Sequence, residues 1–142
     1  MTIGRILEAR SFEIVTCEAN ATVSEAIGLL AKHRIGAIPV VESGSVVGIF
    51  SERDAIYKLS GMGQQALSLS LRDAMTSPAV TVSVDTGAID ALSLMTKRRI
   101  RHLPVMQGGK MVGFVSIGDI VKYRIDKVQS EAEAMRDYIQ TA

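Results

Sequence analysis

Apolar residues in this chain follow two rhythms, a helical one and a strand-like one, and the pair recurs in the same order twice. Glu13 to Cys17 is a short β-branched run that predicts a strand. Ala26, Ile27, Leu29 and Leu30 follow near a helical period that ends at His33, with Asn20 or Thr22 as its cap. Two apolar runs come next, Ala37 to Val41 and Val46 to Phe50, separated by Glu42-Ser43-Gly44-Ser45, a hairpin turn with glycine available for a positive φ. Gln107-Gly108-Gly109-Lys110 repeats the device. The runs are continuous rather than alternating, which predicts strands covered on both faces. Beyond Asp119, Val121, Ile125, Val128, Ala132, Met135 and Ile139 recur at alternating spacings of four and three, a heptad stripe. Such a stripe suits a helix packed on its own domain, or one in contact with a second copy.

The recurrence is a duplication. Laid without a gap over Leu71 to Val121, Ile6 to Ile56 matches at fifteen of fifty-one positions, among them Val15/Val80, Arg34/Arg99, Pro39/Pro104, Gly48/Gly113, Ser51/Ser116 and Asp54/Asp119. Two long copies argue for face-to-face packing about a pseudo-twofold axis rather than for a solenoid. Each copy reads as a helical leader followed by βαββα, an α+β fold. The expected organisation is a first domain over 6–58, a connector over 59–70, a second domain over 71–124 and a helical extension over 125–142.

Composition narrows the function classes. Sixteen basic and fifteen acidic residues leave a net charge of +1, too small to recruit nucleic acid or an anionic membrane. The basic run Lys97 to His102 is short and lacks interleaved aromatics, so no nucleic-acid partner is expected. No apolar stretch is long enough to span a bilayer and no leader peptide is evident, which predicts a cytoplasmic protein without a membrane partner. Trp is absent and aromatics are scarce, so the core must be aliphatic. The single Cys17 aligns with Val82 and reads as a small buried hydrophobe. Two histidines, His33 and His102, and one cysteine without metal-ligand spacing predict no metal. No nucleophile elbow or P-loop is present, so no enzyme activity is expected.

The chemistry is concentrated in two Ser-x-x-Asp pairs, Ser51/Asp54 and Ser116/Asp119, each placed where a strand enters a helix. A serine followed three residues later by an acid resembles a capping box that stabilises the helix start. The same helix N-terminus is an anion site, and a carboxylate beside it can accept both hydroxyls of a ribose. One arrangement can serve both purposes.

The duplicated set, Ile35 to Val40 with Gly48 to Asp54 and Ile100 to Val105 with Gly113 to Asp119, resembles the cystathionine-β-synthase (CBS) domain family. It is similar to a tandem pair, or Bateman module, of the stand-alone bacterial type. The resemblance implies two domains packed sheet to sheet, with clefts for AMP, ADP or ATP, or for NAD(H) or S-adenosylmethionine. It implies that Asp54 and Asp119 bind ribose, with Ser51, Arg53, Arg101, His102 and Ser116 at or beside phosphate. Adenine would lie against Val15, Thr16, Cys17, Ala37, Ile38, Val80, Thr81, Val82 and Leu103. Gly36-Ala37 faces Arg101-His102 in the alignment, so the clefts should be unequal, with Gly36 also suited to ending a helix. Asp119 lacks a neighbouring arginine and must borrow cations from elsewhere. The implied function is an energy or redox sensor in signal transduction, a homodimeric disc acting on an unknown effector protein. A dimeric scaffold with vestigial clefts is the alternative.

Overall fold

In the computed structural model, residues 1–9 and 13–141 are described. They form α1 (Ile3–Glu8), β1 (Cys17–Glu18), α2 (Val23–His33), β2 (Ala37–Glu42), β3 (Ser45–Ser51), α3 (Glu52–Met62), α4 (Leu71–Ala74), β4 (Val82–Ser83), α5 (Ala88–Arg98), β5 (His102–Gln107), β6 (Lys110–Ser116) and α6 (Ile117–Thr141). Each copy carries a three-stranded sheet, ordered β1-β2-β3 in the first and β4-β5-β6 in the second. The first two strands are parallel and the last two form an antiparallel hairpin. The copies meet where β3 approaches β6, sheet to sheet. The architecture is mixed α and β, as the duplicated pattern implies.

Local chemistry explains most boundaries. Thr22 caps α2, its side chain accepting from the Glu25 amide at 3.2 Å. Both hairpins turn on two residues with positive φ, Ser43 and Gly44 at 51° and 80°, and Gly108 and Gly109 at 58° and 77°. That conformation matches the twist of the flanking strands. Both sheets shift register at the same place, between Val40 and Val41 and between Val105 and Met106. The β-branched run from Glu13 is strand only at Cys17–Glu18, where it pairs with Val40 and Val41. Glu13 to Val15 instead cross toward the second copy, lining a cleft with its residues. The segment after Leu59 continues α3 and then forms a 3₁₀ turn over Gly63–Ser68.

The leaders are exchanged. Ile3 and Ile6 of α1 are fully buried among Val82, Ala88, Met95, Leu103, Val105 and Ile120, all from the second copy. Leu71 and Ala74 of α4 sit instead among Val23, Leu30, Ile38, Val40 and Phe50 of the first. Backbone bonds enforce both placements: the Ile3 and Gly4 amides donate to Thr86 and Val84, and the Leu71 and Arg72 amides to Ala21 and Ala19. Arg72 adds a two-pronged ion pair with Glu42 on β2. The shared glycines Gly48 and Gly113 follow from this exchange. A Cβ on Gly48 would lie 2.6 Å from Met75 Sδ and 2.8 Å from the Thr76 carbonyl oxygen, and one on Gly113 would lie 2.6 Å from Leu7 Cδ1. Glycine is needed where the opposite leader crosses the strand.

Truncating an exchanged side chain should therefore open the opposite copy. Ile6→Ala should cost about 2–5 kcal/mol in denaturant unfolding, the usual range for a buried aliphatic. Hydrogen exchange should show the lost protection in β5, β6 and α5. Lost protection confined to the first copy would contradict the exchange.

Candidate functional site

The strand-to-helix junctions hold the two acid pairs, and their geometry is a reciprocal cap. The Ser51 amide donates to Asp54 Oδ2 at 2.8 Å while the Asp54 amide donates to Ser51 Oγ at 3.3 Å. The Ser51 hydroxyl adds a bond to Oδ2 at 3.0 Å, and the Thr76 hydroxyl reaches Asp54 Oδ1 at 3.0 Å from the opposite leader. Ser116 and Asp119 repeat the reciprocal bonds at 2.9 and 3.1 Å. A carboxylate has about four acceptor sites. Three of Asp54's are used, so one ribose hydroxyl can be accepted directly and a second requires the Ser51 or Thr76 hydroxyl to turn away.

Each acid lies in a cleft completed by the other copy. The Asp54 cleft, about 420 Å³, joins Ile49, Ser51, Arg53 and Tyr57 to Thr76, Val80 and Arg99–His102. The Asp119 cleft, about 320 Å³, joins Phe114, Ser116 and His102 to Glu13–Val15 and Arg34–Ala37. Both volumes fall in the range of about 300–1,000 Å³ usual for small-molecule sites. Charge separates them. Around Asp54, Arg53, Arg99 and Arg101 outnumber Glu52 and Asp54, whereas around Asp119 a single Arg34 faces Glu13 and Asp119. Arg53 is oriented by its Nη1, which donates to the Arg99 carbonyl at 3.1 Å. A further recess of about 610 Å³ beside α1 and Tyr123 contains neither acid pair.

The expected site residues divide accordingly. Ser51, Arg53, Asp54, Val80, Arg101 and His102 converge in one cleft, and Val15, Ala37, Ser116 and Asp119, again with His102, in the other. Cys17, Ile38, Val82 and Leu103 are core residues that line neither cleft. Their side chains are buried in the two cores, whereas Ala37 and His102, their neighbours on β2 and β5, line the clefts. Thr16 and Thr81 are exposed and also line neither cleft. Burial raises the pKa of the Cys17 thiol, with Glu25 adding to it, as suits a core residue.

Gly36 does not end α2. That position is Arg34, in the left-handed region at φ 53° and ψ 46°, with Arg99 at 56° and 42° after α5. Gly36 lies at the crossing of the copies, where a Cβ would meet Glu52 Oε1 at 2.6 Å and His102 Cε1 at 3.4 Å. Arg34, Thr76 and Phe114 are cleft residues that motif reading passed over, and Arg99 comes from the basic run Lys97 to His102. Arg34 and Arg99 were visible as an identity between the copies, and Arg34 is the cation that reaches the Asp119 cleft.

His102 borders both clefts and stacks on Phe114, with ring centroids 5.6 Å apart. Burial lowers its pKa below the ordinary 6.5, Asp119 and Glu52 oppose that shift, and Arg101 adds to it. Burial thus favours the neutral imidazole, a form that can hydrogen-bond a ligand in either cleft. Among the described residues, no group of three or more His, Cys, Asp or Glu could hold a metal ion. Among the same residues, no helix is long and apolar enough to cross a membrane.

The CBS domain family profile matches residues 7–61 and 71–126, one match per copy. The chain belongs to the CBS domain family. It is 36% identical over 129 residues to the mitochondrial CBS domain-containing protein CBSX3 of Arabidopsis thaliana, covering 87% of this chain and 63% of that one. The CBS pair protein ATU1752 of Agrobacterium tumefaciens superposes with a TM-score of 0.84 at 35% identity, over 87% of this chain and 99% of that one. The CBS pair of MJ0100, solved with 5-methylthioadenosine and S-adenosylmethionine, gives 0.77 at 27%, over 89% and 98%. CBSX2, solved with AMP, shares the CBS fold at 0.72 and 22%, over 88% and 96%. CBS pairs are regulatory, and these liganded neighbours hold adenosine compounds.

Two outcomes follow from the geometry. An arginine in the left-handed region is strained by roughly 1–2 kcal/mol, and such strain gathers at functional sites. Arg34→Gly and Arg99→Gly should each raise stability by about 1 kcal/mol in thermal or denaturant unfolding; no gain would show that side-chain contacts offset the strain. His102 supplies the second. Its folded pKa lies below its unfolded value, so stability is complete above about pH 6.5 and falls as the unfolded imidazole protonates on acidification. His102→Phe should flatten that decline in melts between about pH 7 and pH 5, and an unchanged slope would assign it to other groups.

Proposed function

We propose that this CBS pair is a regulatory sensor of adenosine nucleotides, with the Asp54 cleft as its phosphate-bearing site, acting in the cytosol on an effector protein. The observation that carries this reading is the convergence of Arg53, Arg99 and Arg101 on a cleft that also presents a carboxylate at a helix N-terminus. A ribose hydroxyl takes the remaining acceptor site of Asp54, the guanidinium groups meet phosphate, and the apolar walls of Ile49, Ile56 and Val80 cover the base. AMP, ADP and ATP fit this distribution of charge, and NAD(H) presents the same adenosine phosphate. The liganded neighbours support the adenosine class. The Asp119 cleft, with a single arginine, suits an adenosine compound carrying little or no negative charge.

Regulation follows from where the ligand sits. Both clefts take their walls from both copies, so a bound nucleotide biases their relative packing by its differential affinity for the alternatives. A second reading, a scaffold with vestigial clefts, has one observation in its favour: the capping bonds give Ser51 and Asp54 a structural role that needs no ligand.

Calorimetry separates the readings. AMP should bind, Asp54→Ala should weaken it at least about tenfold, and Arg101→Ala should weaken AMP about fivefold while leaving adenosine unchanged, as expected for a charge-assisted phosphate contact. Asp54→Ala should also cost about 1 kcal/mol of stability through the lost cap. Absence of binding heat and of any thermal shift across AMP, ADP, ATP, NAD(H) and S-adenosylmethionine would favour the scaffold.

A further inference from the structure

We infer, resting on the Asp54 cleft as the nucleotide site, that the His102 imidazole couples the two clefts: a phosphate lodged beside Asp54 lets the Asp119 cleft accept an anionic adenosine compound that it otherwise disfavours. Of the residues lining the two clefts, only Gly36 and His102 border both. Gly36 has no side chain, so the imidazole is the side chain the clefts share. On one side stands Glu52, which lines the Asp54 cleft; its Oε1 and His102 Cε1 both approach the space a Gly36 Cβ would fill, at 2.6 and 3.4 Å from it. On the other stands Asp119, which lines only the second cleft. Burial disfavours the charged ring, Asp119 and Glu52 favour it, and Arg101 disfavours it. Duplication does not explain this arrangement. The positions that pair with Glu52 and His102 in the repeat hold Ile117 and Ala37, so the polar link is built once.

The ring offers two states. A neutral imidazole carries one donor nitrogen and one acceptor, whereas the imidazolium carries two donors and a positive charge. A phosphate held by Arg53, Arg99 and Arg101 brings negative charge close to the ring, because Arg101 adjoins His102, and nearby negative charge favours the imidazolium. The proton comes from solvent. The second cleft thereby gains a cation: its own lining sets a single Arg34 against Glu13 and Asp119, and the charged ring balances them. An adenosine phosphate is accepted there once the first cleft is filled, and the dependence is reciprocal.

NMR of the full chain tests the coupling. The chain has two histidines, His33 and His102, so the His33→Gln variant assigns the ring signals. Saturating AMP should raise the His102 titration midpoint by about one pH unit, equivalent to about tenfold tighter AMP binding by the protonated form. This measurement needs no substitution in either cleft. The amide signals of Ser116 and Asp119 report the second cleft. At the raised midpoint, emptying the first cleft with Asp54→Ala should weaken AMP at the second about threefold, and the effect should vanish in a His102→Asn background. Thermal melting establishes that the variants fold. AMP that binds beside Asp54 without moving the His102 midpoint, or a loss at the second cleft that persists in the His102→Asn protein, would overturn the coupling and leave the nucleotide site standing. AMP that shifts neither the Asp54 and Arg101 amides nor those of the second cleft would remove the nucleotide site and the coupling together.

Discussion

The exchange of leaders is the constraint on which the molecule depends. Neither βαββα copy closes its own core: α1 fills the second and α4 fills the first, with Ile3, Ile6 and Leu71 fully buried. A small half-domain of this size buries too little apolar surface to be independently secure, and here each borrows the missing layer from its neighbour. Separation of the halves would expose both cores, so the clefts between them persist without a ligand to hold them open. Gly36 and His102 approach closely where the copies cross, and a ligand lodged there acts on their packing by its differential affinity for the alternatives.

The clefts inherit their character from the same exchange. Thr76 reaches Asp54 because α4 lies across β3, where Ile49 and Thr76 exchange backbone bonds at 3.0 and 2.9 Å. Arg34 and Arg99 leave their helices in a left-handed turn that directs the chain into the opposite copy's cleft. Glycine would make that turn with less strain, but it would remove a cation. Stability and charge thus compete at these two positions. The pseudo-symmetry is broken where Gly36 stands for Arg101, which concentrates guanidinium groups around Asp54 and leaves the Asp119 cleft acidic.

Much of this was legible in the chain. The turns at Ser43-Gly44 and Gly108-Gly109, the cap at Thr22 and both capping boxes are local, and local chemistry dictates them. The exchange was not legible, because Ile6 and Leu71 are apolar residues of leaders whose periodicity shows that they are buried without showing in which core. The same gap hid that the side chains of Cys17, Ile38, Val82 and Leu103 are buried in the two cores, beside strand neighbours, Ala37 and His102, that line the clefts. Glycines 48 and 113 did carry the signal. A glycine inside a strand marks a close approach, and in both copies what approaches is the opposite leader.

The central claim is that a nucleotide lodges between the copies in the Asp54 cleft, and the most direct test is chemical. The purified protein would be denatured and any small molecule it releases identified by mass spectrometry, then returned to ligand-free protein while the amide signals of Asp54 and Arg101 are followed by NMR. An adenosine phosphate in stoichiometric amount, shifting both residues on return, is the predicted result. A released ligand without adenosine, or one that shifts neither residue, would contradict the account.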